Sequence, residues 1–154
     1  LQFRISAPIF VARQLVKHQV GLSWNEVSRR YVSYKPDLYA IKEWRGKPKD
    51  SKQGSAGTVD LSEDDELMYA STMIACEELY QRLLDLGIAP EQARAVLPQS
   101  MMTEWYWSGT LYAFARVCNL RCKPDAQVET QMVADRIDKL TEELFPVSWD
   151  ALRS

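Results

Sequence analysis

The sequence predicts an α/β fold of the mixed α+β kind: a single compact domain over residues 1–154, with a small, mainly antiparallel sheet packed by long helices. Three observations carry this expectation. Residues 1–6 alternate apolar and polar side chains as a half-buried strand does, and residues 101–108, with Trp105, Tyr106 and Trp107, have strand-forming composition. Apolar positions at helical spacing, bracketed by capping residues, glycines and prolines, mark several helices. A chain of 154 residues at 46% hydrophobic composition has room for one real core. No internal repeat is visible, and helix outweighs strand.

Taken in order, Gln2, Phe3, Arg4 and Ile5 form a strand already under way at Leu1. The chain lacks an initiator methionine, so the natural protein is expected to start earlier. Ser6, Ala7 and Pro8 begin a helix, because proline in a first turn forfeits no hydrogen bond. Ile9, Phe10, Val11, Leu15 and Val16 keep that helix apolar, with Arg13, Gln14, Lys17 and His18 elsewhere around it, and Gly21 ends it. Residues 25–34 read as a turn leading into a short extended piece, and residues 35–60 as weakly structured. Residues 42–57, rich in Lys, Gly and Ser, have the composition of a mobile surface loop.

Ser62 caps a long helix whose first turn, Glu63, Asp64, Asp65 and Glu66, suits the positive end of its dipole. These carboxylates read as a capping cluster, not a metal site. Met73, Cys76, Leu79, Tyr80, Leu83 and Leu84 are expected as its buried stripe, and Gly87 as its stop. Pro90 starts a shorter helix carrying Arg94 and ending before Pro98. Gly109 breaks the strand over residues 101–108, and residues 111–120 are helical. Pro124 and Asp125 open the last helix, with Val133, Ile137, Leu140 and Leu144 on one face and Pro146 closing it.

Composition narrows the function. A net charge of -2 with a pI near 5.5 supplies no basic field for nucleic acid or an anionic membrane, so any functional arginine acts locally. Three cysteines, Cys76, Cys118 and Cys122, form no even set and no Cys-x-x-Cys pair. This suggests reduced thiols and a cytoplasmic setting. One histidine and three scattered cysteines offer no metal-ligand spacing. No apolar run reaches membrane length, and no signal peptide is recognisable.

The chemistry concentrates in residues 17–31. This stretch holds the single histidine, His18, with Gln19, Ser23, Asn25, Glu26, Ser28, Arg29 and Arg30. Planar guanidinium forks suit phosphate, and the Ser28 hydroxyl can share the same anion. Lys17-His18-Gln19, eight residues, then Ser28 followed by Arg29-Arg30-Tyr31, resembles the signature of the flavin-dependent thymidylate synthases, Arg-His-Arg, seven residues, Ser. The half formed by Asn25, Glu26, Ser28, Arg30 and Tyr31 is intact. Lys17 keeps charge without the fork, Gln19 carries none, and one extra residue is absorbed near Gly21, Leu22 and Ser23. Residues 7–14, 94–98, 103–107, 119–121 and 125–127 resemble further blocks of that family in the right order.

The resemblance implies a homotetramer with sites at subunit interfaces. Its reaction would convert dUMP to dTMP with methylenetetrahydrofolate as carbon donor and FAD, reduced by NADPH, as hydride donor. On matching positions, Gln14, Ser28, Arg30 and Arg94 would hold dUMP, largely its phosphate. Arg121 would face the pyrimidine and favour its N3-deprotonated, nucleophilic form, because a fixed cation lowers the proton affinity of a developing anion. Arg121 and Ser28 are the residues on which catalysis is expected to rest. Lys17, His18, Gln19, Asn25 and Glu26 fall on flavin- and nucleotide-contacting positions, and Thr110 and Arg116 where the family has flavin-binding asparagines. Arg94 and Arg121 would complete a site begun by another subunit, so the monomer would have no complete active site.

Plainer readings stand beside these. His18 can serve as a dipole partner at a helix end, Arg29 and Arg30 as solvated cations, and Arg121 as a partner of Asp125. Trp105 and Trp107 read as core or subunit-interface packing before flavin stacking. With the flanking pattern, Arg30 is assigned the ligand role and Arg29 the surface. Alternative functions are a related dUMP-hydroxymethylating enzyme and a non-catalytic nucleotide-binding homologue. A nucleic-acid-binding module rests only on the Arg29–Arg30 pair and the lysines of residues 42–52, against an acidic pI.

Overall fold

A computed structural model describes residues 1–49 and 54–153. Its centre is a three-stranded antiparallel sheet of β1 (Gln2–Pro8), β2 (Leu22–Glu26) and β5 (Met102–Gly109), with β5 between the other two. The alternation read in residues 1–6 is realised: Phe3, Ile5 and Ala7 face inward, while Gln2, Arg4 and Ser6 are exposed. Register places Phe3 opposite Trp107 and Ile5 opposite Trp105 on one side, and Trp24 opposite Trp107 on the other. Trp105 and Trp107 are completely buried, which settles them as core. The Trp24 ring stacks on Trp105 at 4.3 Å, and Phe114 meets Trp107 edge-on at 5.4 Å.

Against this face lie α1 (Ile9–Leu15), α4 (Leu111–Arg121), α5 (Val128–Leu144) and α6 (Pro146–Arg153). Val11, Leu15, Phe114, Val117, Ile137 and Trp149 join the tryptophans in one core. Burying each such side chain stabilises the fold by about 1.5–3 kcal/mol. The long helix α2 (Glu63–Asp85) starts as expected, with the Ser62 hydroxyl accepting from the Asp65 N–H at 3.2 Å. A short α3 (Pro90–Ala93) and a single 3-10 turn (Arg94–Val96) follow.

Several expectations are corrected. Residues 22–26 are a strand, which takes Asn25 and Glu26 from the stretch 25–34 read as a turn: Leu22 and Trp24 point in, Ser23 and Asn25 out. Pro146 follows the end of α5 as expected, but α5 is not the last helix: the same proline occupies the start of α6, a first-turn position proline tolerates. Of the stripe expected on α2, only Tyr80 is buried, and Leu79 is 45% exposed. Leu140 and Leu144 on α5 are likewise exposed, because the helix packs through the face of Ala134, Ile137 and Thr141 instead. A short antiparallel pair, β3 (Arg45–Gly46) with β4 (Ala56–Thr58), lies in and at the end of the stretch 42–57 read as a mobile surface loop, and does not contradict that reading. Residues 50–53 of that expected loop lie outside the described residues.

Two glycines shape the junction between α1 and the sheet. Gly21 turns the chain with φ +74°, a conformation that only glycine enters freely. Gly109 ends β5 where the chain crosses itself, and a Cβ there would stand 2.5 Å from the Gly21 carbonyl oxygen. This close approach seats the Gly21 turn against the start of α4, while His18 meets Arg121 at the other end of that helix.

Candidate functional site

The first cleft is about 650 Å³ and is walled by Gln14 of α1, Arg121 at the end of α4, Arg45 of β3, and Gln127 and Glu129 at the start of α5. Arg121 does not pair with Asp125, although both line the cleft; its Nε donates to His18 Nε2 at 3.0 Å. An imidazole nitrogen that accepts is unprotonated. Partial burial, then the nearby Arg121 and Arg116 charges, hold the His18 pKa below the ordinary histidine value. Neutral His18 therefore serves as a fixed acceptor for the guanidinium.

A polar chain crosses the same wall. Arg45 forms an ion pair with Glu129, whose other carboxylate oxygen accepts from Gln127 Nε2 at 3.1 Å. Gln127 Oε1 accepts from Gln14 Nε2, and Gln14 Oε1 accepts from the buried Thr130 hydroxyl at 3.1 Å. Burial works to raise the Glu129 pKa, but the Arg45 contact, its own backbone N–H and Gln127 outweigh it, so the carboxyl sits below its usual range. Glu129 is also in the first turn of α5, where the helix dipole favours an anion.

The second cleft, about 640 Å³, is lined by Arg13, Glu26, Ser28, Arg29 and Arg94. Arg30 is exposed and tied to Ser28, with its Nε 3.5 Å from the hydroxyl. Arg29, assigned to the surface from sequence, is only 8% exposed: it donates to the Tyr34 carbonyl and stacks over the Tyr34 ring at 4.3 Å. Glu26 accepts from Thr103 at 2.7 Å and from the Trp24 indole at 3.1 Å.

A third, small hollow of about 160 Å³ is formed by Lys17, His18, Gln19 and Arg116, with Leu22 and Leu120. Asn25 lies apart from it, in an open depression on the outer face of the sheet with Tyr106 and Ser108. Thr110 caps α4, its hydroxyl accepting from the Ala113 N–H at 3.1 Å.

The residues singled out in the sequence thus fall into groups. Gln14 and Arg121 share one cleft; Ser28 and Arg94 share another; Lys17, His18, Gln19 and Arg116 share the third, joined to the first through the His18–Arg121 bond. Within one protomer Arg94 stands with Ser28, as the shared phosphate role would have it, and apart from Arg121. Sequence reasoning missed Arg45 and Glu129, which are far apart in the chain and meet only through folding. It missed Arg29 because its partner is a backbone carbonyl, which no side-chain pattern announces.

An α+β domain with guanidinium groups on the walls of open clefts is of a class suited to small anionic ligands. Comparison with known proteins gives that class a family. The family model described as thymidylate synthase complementing protein matches residues 1–147. The chain is 36% identical over 150 residues to the flavin-dependent thymidylate synthase of Thermus thermophilus, covering 97% of this chain and 55% of that one. It is 37% identical over 152 residues to that of Kosmotoga olearia, covering 97% and 66%. Among solved structures, the UMP/dUMP methylase PolB from Streptomyces cacaoi bound with 5-Br dUMP superposes with a TM-score of 0.82 at 31% identity, covering 97% of this chain and 68% of that one. The chain belongs to the thymidylate synthase complementing protein family. It spans 55% to 66% of the length of these two curated relatives.

Proposed function

We propose that the chain is part of a flavin-dependent thymidylate synthase that converts dUMP to dTMP, using methylenetetrahydrofolate as carbon donor and NADPH-reduced FAD. The observation that carries this reading is Arg121, poised between a nucleotide-sized cleft and the hollow of Lys17, His18, Gln19 and Arg116. In the cleft, Arg121 and Gln14 hold and orient the uracil nucleotide. The Arg121 charge stabilises the N3-deprotonated ring, which makes C5 nucleophilic. Ser28, Arg30 and Arg94 supply phosphate contacts from a second chain, because they do not line the cleft of Gln14 and Arg121. A homotetramer that brings the two clefts together completes the site.

The donor set of the third hollow fits a flavin cofactor on one side. Lys17 and Arg116 are cations suited to a diphosphate, and His18 and Gln19 offer polar edges. At about 160 Å³ the hollow is smaller than the roughly 300–1,000 Å³ usual for such ligands, so it forms one wall and a neighbouring chain the other. Asn25 and Glu26 of β2 belong to that opposing surface. Bound there, the flavin supplies the hydride; the protein's part is to bind, orient and exclude water.

The test uses the full-length protein, which is expected to purify with bound flavin and to oxidise NADPH when dUMP and methylenetetrahydrofolate are present, yielding dTMP by mass. Colourless protein that binds dUMP without turnover would favour a non-catalytic homologue, and a product heavier by one oxygen a hydroxymethylase. A second reading, methylation of UMP as well as dUMP, is supported by the likeness to the UMP/dUMP methylase. Assaying UMP in parallel decides it: turnover only with dUMP removes that reading.

A further inference from the structure

We infer that Glu129 and Gln127 are positioning residues that set the sense of the Gln14 side-chain amide, with Arg45 anchoring them from β3. This rests on the reading of the Gln14–Arg121 cleft as the nucleotide site.

The argument is one of donors and acceptors. Arg45 can only donate, and an ionised carboxylate can only accept, so the Arg45–Glu129 pair fixes Glu129 as an acceptor on both oxygens. Gln127 must then present its NH2 to Glu129, which turns its carbonyl oxygen toward Gln14. Gln14 must answer with its own NH2, leaving its oxygen for the Thr130 hydroxyl. A flipped Gln14 amide would set two carbonyl oxygens against each other in a half-buried place. A flip there costs on the order of 1–3 kcal/mol. The Glu129 carboxylate therefore determines, two side chains away, which end of the Gln14 amide meets the ligand, and Arg45 holds that carboxylate in place. Gln14 keeps one N–H and one oxygen lone pair free for the cleft, each in a fixed direction. A nucleobase edge or ribose hydroxyl is bound only if its own pattern matches that sense.

The test is a mutant cycle in the full-length protein. Glu129→Gln preserves shape but lets residue 129 donate, so both amides lose their assigned sense. It is expected to weaken dUMP binding about tenfold, roughly the net worth of one hydrogen bond to a charged network, whereas Arg45→Met, which leaves Glu129 an acceptor, should weaken it less. In a Gln14→Ala background Glu129→Gln should cause no further loss, because its effect passes through Gln14. Losses that add in full, or unchanged binding in Glu129→Gln, would overturn the inference. A second readout does not need the nucleotide: with isotope-labelled glutamine, the Gln14 side-chain NH2 resonance should be shifted and slow to exchange, and both features should vanish in Glu129→Gln. Wild-type protein that ignores dUMP yet shows this NMR signature would discard the functional reading while keeping the positioning. An unaltered Gln14 resonance in Glu129→Gln would discard the positioning.

Discussion

At the scale of single residues, the contact between Arg121 and His18 concentrates most of the consequences. Arg121→Ala should reduce turnover by about 10²–10³-fold, as loss of a group that stabilises developing charge does. Flavin content should stay at the wild-type level, since Arg121 lines the nucleotide cleft; unchanged turnover would remove its assigned role. His18 makes a prediction about pH. Its pKa in the folded chain is depressed, so the unfolded chain takes up the proton first as pH falls below the ordinary histidine value of about 6.5. The stability contributed by neutral His18 is thus complete above that pH and is lost as pH drops toward the folded value. Urea midpoints of wild type and His18→Gln, measured from neutral to mildly acidic pH, should converge on the acid side. Parallel curves would contradict a neutral, accepting imidazole. The thiols point the same way: burial, the Asp135 contact and the Asp138 charge push Cys122 up to about 12, so it is expected to resist thiol reagents at neutral pH.

At the scale of elements, local chemistry decides where helices and strands begin and end. Ser62→Ala removes the cap of α2 and should cost about 1 kcal/mol in chemical denaturation. Gly109→Ala is expected to cost more, about 1–3 kcal/mol, because the new methyl would meet a backbone oxygen that cannot swing aside; an unchanged unfolding midpoint would refute that crossing. Such signals explain what was legible beforehand. Ser62, Pro90 and the alternation of residues 2–5 each act within a few positions, so pattern and position coincide, whereas the first helix ends at Leu15, well before Gly21. The strand β2 obeyed the same alternation, Leu22 and Trp24 against Ser23 and Asn25, but its polar side chains read first as chemistry. Pro146 is ambiguous in principle, since proline both follows helices and starts them. Of the candidate site, the local run from Lys17 to Ser28 was visible, while the Arg45–Glu129 pair was not. A contact between residues 84 apart is set by the fold, and nothing in either neighbourhood marks it.

At the scale of the whole molecule, two features ask for company. Leu67, Met68, Ile74 and Leu79 of α2 are between 45% and 69% exposed, an apolar surface that a lone protomer would leave in water. The arginines assigned to one nucleotide, Arg94 and Arg121, also stand in different clefts of the same chain. Both are met by the proposed homotetramer. Ile74→Glu should therefore split the assembly in sedimentation and abolish dUMP binding while leaving the protomer's helical signal intact. A monomer that still binds dUMP with wild-type affinity would show that one chain suffices.

The buried tryptophans have an optical consequence. Among the described residues, Trp105 and Trp107 have indole N–H groups with no acceptor, sealed from water, while Trp24 lies stacked on Trp105 and bonded to Glu26 beside the cleft of Ser28 and Arg94. Their emission should lie far to the blue and shift red only when the sheet opens, whereas quenching of Trp24 by an arriving ligand would register occupancy at its rim. With Trp44 and Trp149 replaced by Phe, the remaining three of the five tryptophans would serve as native fluorophores for folding and for binding, without any added label.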